Sequence, residues 1–542
     1  MADYILGIDQ RIEGTFAAVI DRVGRIVSSA YCPVPQYCPQ PGWVEYDADE
    51  LWQITLKAIA ESFRNGRIAP EEIEAIGVAN QRMTIVFWNR RTGEPVGRAI
   101  GWQDERTTSI CERLIAKDWA RIEDRTGMVI RPDVTATKIR WAMDHDKAVQ
   151  KSIARGEALC GTIDSWLIWK LSGGAVHVTD YSNASLTLML NARSLTYDAG
   201  TLNELEIPRA ILPDLRMSSE IYAYTDPKGF FDTRTPIAAA VGDQQAAAFG
   251  QSCFEPGMGK GTFNSGSSLT LNGGTTYRPP CDGIFPRSKT VMFNGSPRAG
   301  GQLPFDAMLS PVLWGLNDEV AYGLEGKADV SGTAIEWLRD GLGLIHEVGE
   351  AEGLASQVAD TQGVYFVPAL LGLGGPPLFR RALGMVDALV PLGLPGGALF
   401  RRAPGTVLGI TRGTTRQHVV RAALEAVAYQ TRDAFEVIRQ ESGFDPKVLR
   451  VDGSGARSDF LMQLQADILG IPLERPQVTE TAVLGAAYLA GLAVGYWQST
   501  QEIAGNWRLD CRFEPRIPAE RREELYGGWQ RAITHAAIWL EG

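Results

Sequence analysis

Two stretches roughly 250 residues apart share one plan, and that plan constrains the fold more than any other feature. The first is "YILGIDQRIEGTFAAVID" (4–21) and the second is "GKGTFNSGSSLTLNGG" (259–274). In the first, an apolar run from Tyr4 to Ile8 ends at Asp9. A polar turn of about six residues follows, and a second apolar run, Phe16 to Ile20, closes on Asp21. In the second, strand-like flanks surround a turn at Asn264–Ser268 that is rich in Ser and contains Gly266. Short apolar runs around a small turn predict β-hairpins. A tip of this kind, acidic or rich in small residues, suits a phosphate or its counter-ion. Two such hairpins in one chain predict two related domains facing each other across a cleft, residues 1–250 and 251–542.

The bulk properties agree with several domains and exclude some classes of partner. At 542 residues the chain is too long for one core. Its 45% hydrophobic and 22% charged content is that of an ordinary globular protein. A net charge of −11 leaves no basic footprint for nucleic acid. A local basic pocket for a small substrate stays compatible with it. No apolar run reaches the ~20 residues of a membrane span, and the opening lacks a basic, then apolar leader. A cytoplasmic protein with no membrane partner is expected. The seven Cys are scattered without a CxxC, and the five His form no HxxxH pair. Reduced thiols are expected and a zinc centre is not.

Strands are predicted at "IEAIGVAN" (73–80) and "TIVFWN" (84–89), the first running into the second through "QRM". The 3.6-residue period of "DELWQITLKAIAESFRNG" (49–66) predicts a helix, capped by Asp47 or Asp49 and ended by Gly66. "GTIDSWLIWKLSG" predicts another, closed by Gly173. Further strands are expected at "GVYFVPAL" and "VLRVDG". Long helices are expected at "RQHVVRAALEAVAYQTRDAFEVIRQESG" and "LGAAYLAGLAVGYW". One local repeat stands out. "GLGGPPLFRRALG" from Gly372 returns as "GLPGGALFRRAPG" from Gly393, and reads as a tandem-duplicated Gly/Pro-rich loop over about 372–405.

In "AAAVGDQQAA", Asp243 follows an apolar run and Gly242. The residues alone leave two readings open, a helix N-cap or a carboxylate on a cleft floor. Asp9 likewise either ends a strand or serves a site.

Six stretches, in this order, carry a resemblance that spans the chain. They are "QPGWVEYDADELW" (40–52), "AIGWQDERT" (99–107), "GTIDSWLIWKLSGGAVHVTDYSNAS" (161–185), "GDQQAAAFGQSCFEPGM" (242–258), "ITRGTTRQHVVRAALEAVAYQTRD" (410–433) and "TAVLGAAYLAGLAVGYW" (481–497). They resemble the FGGY carbohydrate kinases, and within that family most closely its glycerol kinase branch. The resemblance implies an α/β fold of two actin/hexokinase-like, ribonuclease H-type domains around a central cleft. It implies ATP with Mg2+ and transfer of the γ-phosphoryl to a hydroxyl of a small polyol or sugar. It is compatible with a homodimer or homotetramer.

Carried over residue by residue, it makes Asp243 the general base and gives Asp9 and Asp243 the magnesium. Arg82, Trp102, Asp243 and Gln244 would bind the acceptor. Ser265 and Gly266 would meet the ATP phosphates, with Arg11 and Thr15 at the first hairpin. Gly332, Glu336, Ser454, Gly455 and Ser458 would contact the nucleotide, with Ser458 in place of the family's Asn.

The departures are local. The branch reads Gly-Thr-Thr-Ser-Ser-Arg where this chain has Arg11-Ile12-Glu13-Gly14-Thr15-Phe16. In the acceptor pocket, Met83 replaces a Glu, Asp133 a Tyr and Ser268 a Phe. Met cannot accept the hydrogen bonds a Glu takes from a polyol. The expectation is a kinase whose acceptor differs from glycerol. The rival expectation is a catalytically impaired, kinase-like binding or regulatory protein.

Overall fold

The computed structural model describes residues 3–264, 266–279, 291–293, 296–298, 309–328, 332–368 and 405–538. Ser265 and nearly all of the duplicated loop lie outside them, with Arg380, Arg381, Arg401 and Arg402.

Each half of the chain builds a mixed sheet on the same plan. In the first half, β1 (Tyr4–Gln10), β2 (Gly14–Ile20) and β3 (Ile26–Pro33) form an antiparallel meander. β4 (Ile73–Asn80) joins β1 in parallel. β5 (Ser219–Tyr224) and β6 (Pro236–Gly242) complete the order β3-β2-β1-β4-β6-β5, with β5 antiparallel at the edge. In the second half the strands are β7 (Gly259–Phe263), β8 (Ser267–Gly274), β9 (Val312–Leu316), β10 (Glu319–Ala328), β11 (Leu449–Asp452), β12 (Leu473–Pro476) and β13 (Leu509–Phe513). Their order is β9-β10-β8-β7-β11-β12-β13. Leaving out the extra edge strand β9, the two orders correspond strand for strand, including the parallel pairs and the antiparallel last strand. This is the two-domain, ribonuclease H-type α/β architecture expected from the hairpins.

The local forces are those the sequence displays. β1 is buried from Ile5 to Gln10, which is why it reads as a continuous apolar run rather than an alternating one. Helix α1 (Ala48–Gly66) starts where the Asp47 carboxylate accepts from the backbone N–H groups of Asp49 and Glu50. Its Leu51, Thr55, Ala58, Ile59 and Phe63 form one buried stripe. One expectation is corrected. Ile73–Asn80 does not run on into Ile85–Asn89, which joins a separate four-stranded sheet with Glu45–Tyr46, Ala99–Ile100 and Ala158–Thr162. The chain breaks direction at Met83, whose φ is +67°.

Two helices join the halves. α2 (Asp243–Gly250) follows β6 and α3 (Thr481–Ala493) follows β12. They cross so closely that a Cβ on Gly485 would lie 1.9 Å from the Ala246 carbonyl oxygen, and one on Gly250 would lie 2.0 Å from that of Thr481. α3 also lies on the first sheet, with Val483, Ala486 and Leu489 packed among Ile5, Ala79 and Val241. A helix from the second half of the sequence thereby closes the core of the first. No helix among the described residues is long and apolar enough to cross a membrane.

The parallel strands of the first sheet end in line, Gln10 beside Asn80 and Asn80 beside Gly242. In the second sheet Thr262 pairs with Asp452 in the same way. The residues at or just beyond those ends form the site.

Gly485→Ala should destabilise the protein by at least about 1–3 kcal/mol, the usual cost of overpacking. Denaturant unfolding measures this. An unchanged midpoint would mean that the crossing is not close.

Candidate active site

Arg82 sits just past the end of β4 and is 7% exposed. Its Nε forms an ion pair with Asp243 Oδ1 at 2.9 Å. Its Nη1 and Nη2 donate to Glu325 Oε2 and Oε1 at 2.6 and 2.8 Å, a two-pronged pair. Glu325 belongs to β10, so this pair crosses from one domain to the other. Glu325 is fully buried, which by itself would push its carboxyl up. The charge and hydrogen bonds of Arg82, with Lys327 and Lys260 adding, instead hold it at about 2. Gly242 makes room for this arrangement, since a Cβ there would lie 2.9 Å from Arg82 Cδ.

Asp243 is the first residue of α2, directly after β6. Its Oδ1 lies in the ion pair with Arg82 Nε and accepts from the backbone N–H of Gln244 at 2.7 Å. Among the described residues Oδ2 has no hydrogen-bond partner, and the side chain is 31% exposed. One oxygen is therefore fixed and the other is open.

At the first hairpin, β1 and β2 are joined through Arg11–Glu13. Arg11 Nε donates to Asp9 Oδ2 at 2.6 Å, and its Nη2 donates to Glu480 Oε2 at 2.5 Å. Glu480 directly precedes α3 and also takes Arg457 at 3.1 Å. Asp9 is buried and its Oδ1 has no partner among the described residues. Burial pushes its carboxyl up against the pull of Arg11, and the charges of Asp243 and Glu480 push the same way. An orphaned carboxylate oxygen with a second carboxylate nearby suits a hard divalent cation. By this measure Asp9 and Asp243 fit magnesium, although Arg11 already holds the other Asp9 oxygen.

Thr15 lies elsewhere than expected. Strand alternation turns it to the face opposite Asp9, where its buried hydroxyl meets that of Thr55 on α1 at 3.2 Å.

The second hairpin is knitted to the loop after β11. Asn264 Oδ1 accepts from the Ser454 N–H and hydroxyl at 2.9 and 3.2 Å, and the Asn264 carbonyl accepts from Gly332 N–H at 3.1 Å. Gly266 closes the turn with its carbonyl on Asn264 N–H at 2.9 Å. Gly453 has φ +87°, and a Cβ there would lie 2.6 Å from the Phe263 carbonyl oxygen. The structure thus gathers Asn264, Gly266, Gly332, Ser454 and Gly455 around one small-residue rim. Glu336 lies one turn along the helix that starts at Gly332. Ser458 is engaged differently: its hydroxyl accepts from Leu461 N–H as a helix cap and donates to Glu352 at 2.8 Å.

Below this rim runs a buried polar chain. The Lys260 ammonium donates to Gln244 and to Thr262, and the Thr262 hydroxyl donates to Asp452.

Family models of the FGGY family of carbohydrate kinases match residues 4–250 (N-terminal domain) and 302–494 (C-terminal domain). The chain belongs to this family. It is 44% identical to glycerol kinase 2 of Thermotoga maritima over 99% of both chains. It is 46% identical to a glycerol kinase of Stenotrophomonas maltophilia over 98% of both. A crystal structure of Plasmodium falciparum glycerol kinase with ADP superposes with a TM-score of 0.83 at 28% identity, covering 98% of each chain.

In this FGGY kinase the residues expected on the acceptor side fall in two groups. Arg82, Asp243, Trp102, Asp133 and Ser268 converge. Asp133 and Lys327 both lie within electrostatic range of that cluster, and Lys327 Nζ is 5.8 Å from the Trp102 ring centroid. Ser268 pairs with Lys327 across β8 and β10. Met83 does not join them. Its side chain is buried in an apolar cluster with Ile85, Ile100 and Ile130, and only its carbonyl is bound, by Thr135 and Lys138. The sequence reading missed Lys260, Glu325, Lys327, Asp452 and Glu480. A signal existed for two of them: in "YGLEGKA" the charged residues stand two apart on an otherwise apolar strand.

Removing Glu325 leaves a buried, unpaired charge on Arg82. Glu325→Ala should cost about 3–5 kcal/mol at neutral pH. Because the folded-state pKa of Glu325 lies below its ordinary 4.5, its contribution is present above that pH and lost as pH falls toward about 2. Unfolding midpoints of variant and wild type, well separated at pH 7, should converge below pH 4. A constant gap would contradict the assignment.

Proposed function

We propose that this chain transfers the γ-phosphoryl of ATP to a hydroxyl of a small polyol or sugar, with Asp243 as the general base. The observation that carries the reading is the divided Asp243 carboxylate. Arg82 and a backbone N–H fix Oδ1, and Oδ2 faces open space at the start of a helix. A base for a hydroxyl proton needs this combination of fixed orientation and access. The hydroxyl proton passes to Oδ2, the acceptor oxygen bonds to the γ-phosphorus, and ADP departs.

The residues present also fit the other tasks. Asn264, Gly266, Gly332, Ser454 and Gly455 form a rim of small groups and backbone amides against which phosphates and a flat base can approach. Asp9 and Asp243 would hold magnesium, which neutralises phosphate charge in reactions of this class. Arg82 and Trp102 would position the acceptor, a donor fork beside a flat apolar wall.

One observation favours a second reading, a kinase-like binding or regulatory protein. Arg11 sits on Asp9 and ties it to Glu480, so half of the metal carboxylate is already neutralised.

ADP release with Mg-ATP, measured across small neutral and acidic polyhydroxy compounds, separates the two. The expected result is turnover of at least one acceptor, reduced about 10²–10⁴-fold in Asp243→Asn with folding unchanged. Silence of the folded wild type, with turnover appearing in Arg11→Gly, would establish the second reading instead.

A further inference from the structure

On the cleft-facing side of the second sheet one ammonium stands near a carboxylate but, among the described residues, makes no hydrogen bond. Residues paired in register across strands share a face, with Cβ atoms about 4.5–5.5 Å apart. On that face one row runs Asp452, Thr262, Ser268, Lys327, and the next runs Arg450, Lys260, Thr270, Glu325. Glu325 spends both oxygens on Arg82. Lys327 Nζ stands 3.8 Å from Glu325 Oε1, beyond hydrogen-bond length. Among the described residues this ammonium makes no hydrogen bond, although the side chain is only 18% exposed. An ammonium has three protons to donate. Beside it, the buried Ser268 hydroxyl also has no partner among the described residues. The Trp102 ring flanks the same space, 5.8 Å from Nζ.

We infer that Lys327 and Ser268 recognise an anionic group on the acceptor, so that the substrate is a small polyhydroxy acid rather than a neutral polyol. The inference rests on the kinase reading above for the identity of the pocket. Its physical ground is desolvation. When a ligand fills the cleft, Lys327 loses its remaining water, and a neutral hydroxyl does not repay the burial of a full charge. An acidic group does, and it accepts from Ser268 at the same time. The geometry places the two ends of such a molecule. Asp243 and Lys327 lie at opposite ends of the Arg82–Glu325 unit, so an acceptor spanning it presents a hydroxyl to Asp243 Oδ2 and its acidic group to Lys327. Asp133 feels the charge of Lys327 but its nearest cationic partner is Arg131, 3.3 Å from its carboxylate, and Lys138 donates to its carbonyl.

The test uses matched pairs that differ only in charge: glycerate against glycerol, erythronate against erythritol, with glycerol 3-phosphate as the phosphate-bearing arm. Binding to the full-length protein is measured by calorimetry without ATP, and ADP release is measured separately. The expected result is that at least one acid binds about 10- to 100-fold more tightly than its neutral partner, the range of a charged hydrogen bond. The preference should vanish in Lys327→Met and be partly restored in Lys327→Arg. Carboxylates outranking the phosphate, or the reverse, tells which anion the site takes. Equal binding of acid and alcohol, no acid binding at all, or a Lys327→Met variant that weakens both partners equally would overturn the inference. Acid-selective, Lys327-dependent binding without ADP release would leave it standing and overturn the kinase reading instead.

Discussion

One guanidinium holds the working parts of the two domains in register. Arg82 comes from the first domain, Glu325 from the second, and Asp243 forms an ion pair with the same side chain through Nε. A buried Arg without its partner is far less stable than either a complete pair or an apolar replacement. The pair is therefore an all-or-none device: either both lobes contribute to it or the local structure fails. The glycine-lined crossing of α2 and α3 joins the same lobes by a different physics. Apolar contact there is strong but not directional, and it depends on the absence of two Cβ atoms. The crossing sets how close the lobes come, and the ion pair sets how their site residues face each other.

The two hairpins show how one backbone plan takes different chemistry. Both tips follow the first strand of a ribonuclease H-type sheet, and both pair with a meander on one side and a parallel strand on the other. The second tip is small and polar, and it is tied to neighbouring loops by backbone and Asn264 hydrogen bonds. The first is charged, and its Arg11 reaches outward to Glu480 while leaning over the Phe16 ring at 4.9 Å. A guanidinium at this point supplies positive charge beside Asp9 from the protein itself. The same contact links the first hairpin to the start of α3, the helix that closes the first core.

What was legible in the sequence was whatever depends on local pattern. The hairpins, the cap at Asp47, the stripe of α1 and the long helix over Arg416–Ser442 follow from periodicity and turn chemistry that act over a few residues. The family motifs led to Arg82, Trp102 and Asp243, which do converge. What was not legible depends on direction or on distance along the chain. Thr15 and Asp9 are six residues apart, yet strand alternation and the turn send them to opposite faces. Met83 occupies a pocket position in the sequence, but a positive φ turns its side chain into the core. Glu325 lies 243 residues from the arginine it pairs with, and no local pattern announces such a partner. Ser458 was expected at the nucleotide from the family pattern, which says nothing of the helix it caps or of its bond to Glu352.

The residues expected at the acceptor are matched to one another. A site that has merely drifted accumulates polar groups without relation to one another. Here the changes compensate. The Met83 side chain leaves the pocket, and its carbonyl is held by Thr135 and Lys138. Asp133 brings a negative charge, and Arg131, Lys327 and Lys138 together keep its carboxyl below the usual range despite burial, which alone would raise it. Ser268 brings a hydroxyl to the strand position directly opposite Lys327. The charges have opposite charges near them, and the Ser268 hydroxyl and the Lys327 ammonium, neither hydrogen-bonded among the described residues, are neighbours across the strands. If the acceptor reading proposed above holds, that is the pattern a site shaped for a particular molecule requires: internal charges balanced, with unsatisfied donors beside one another.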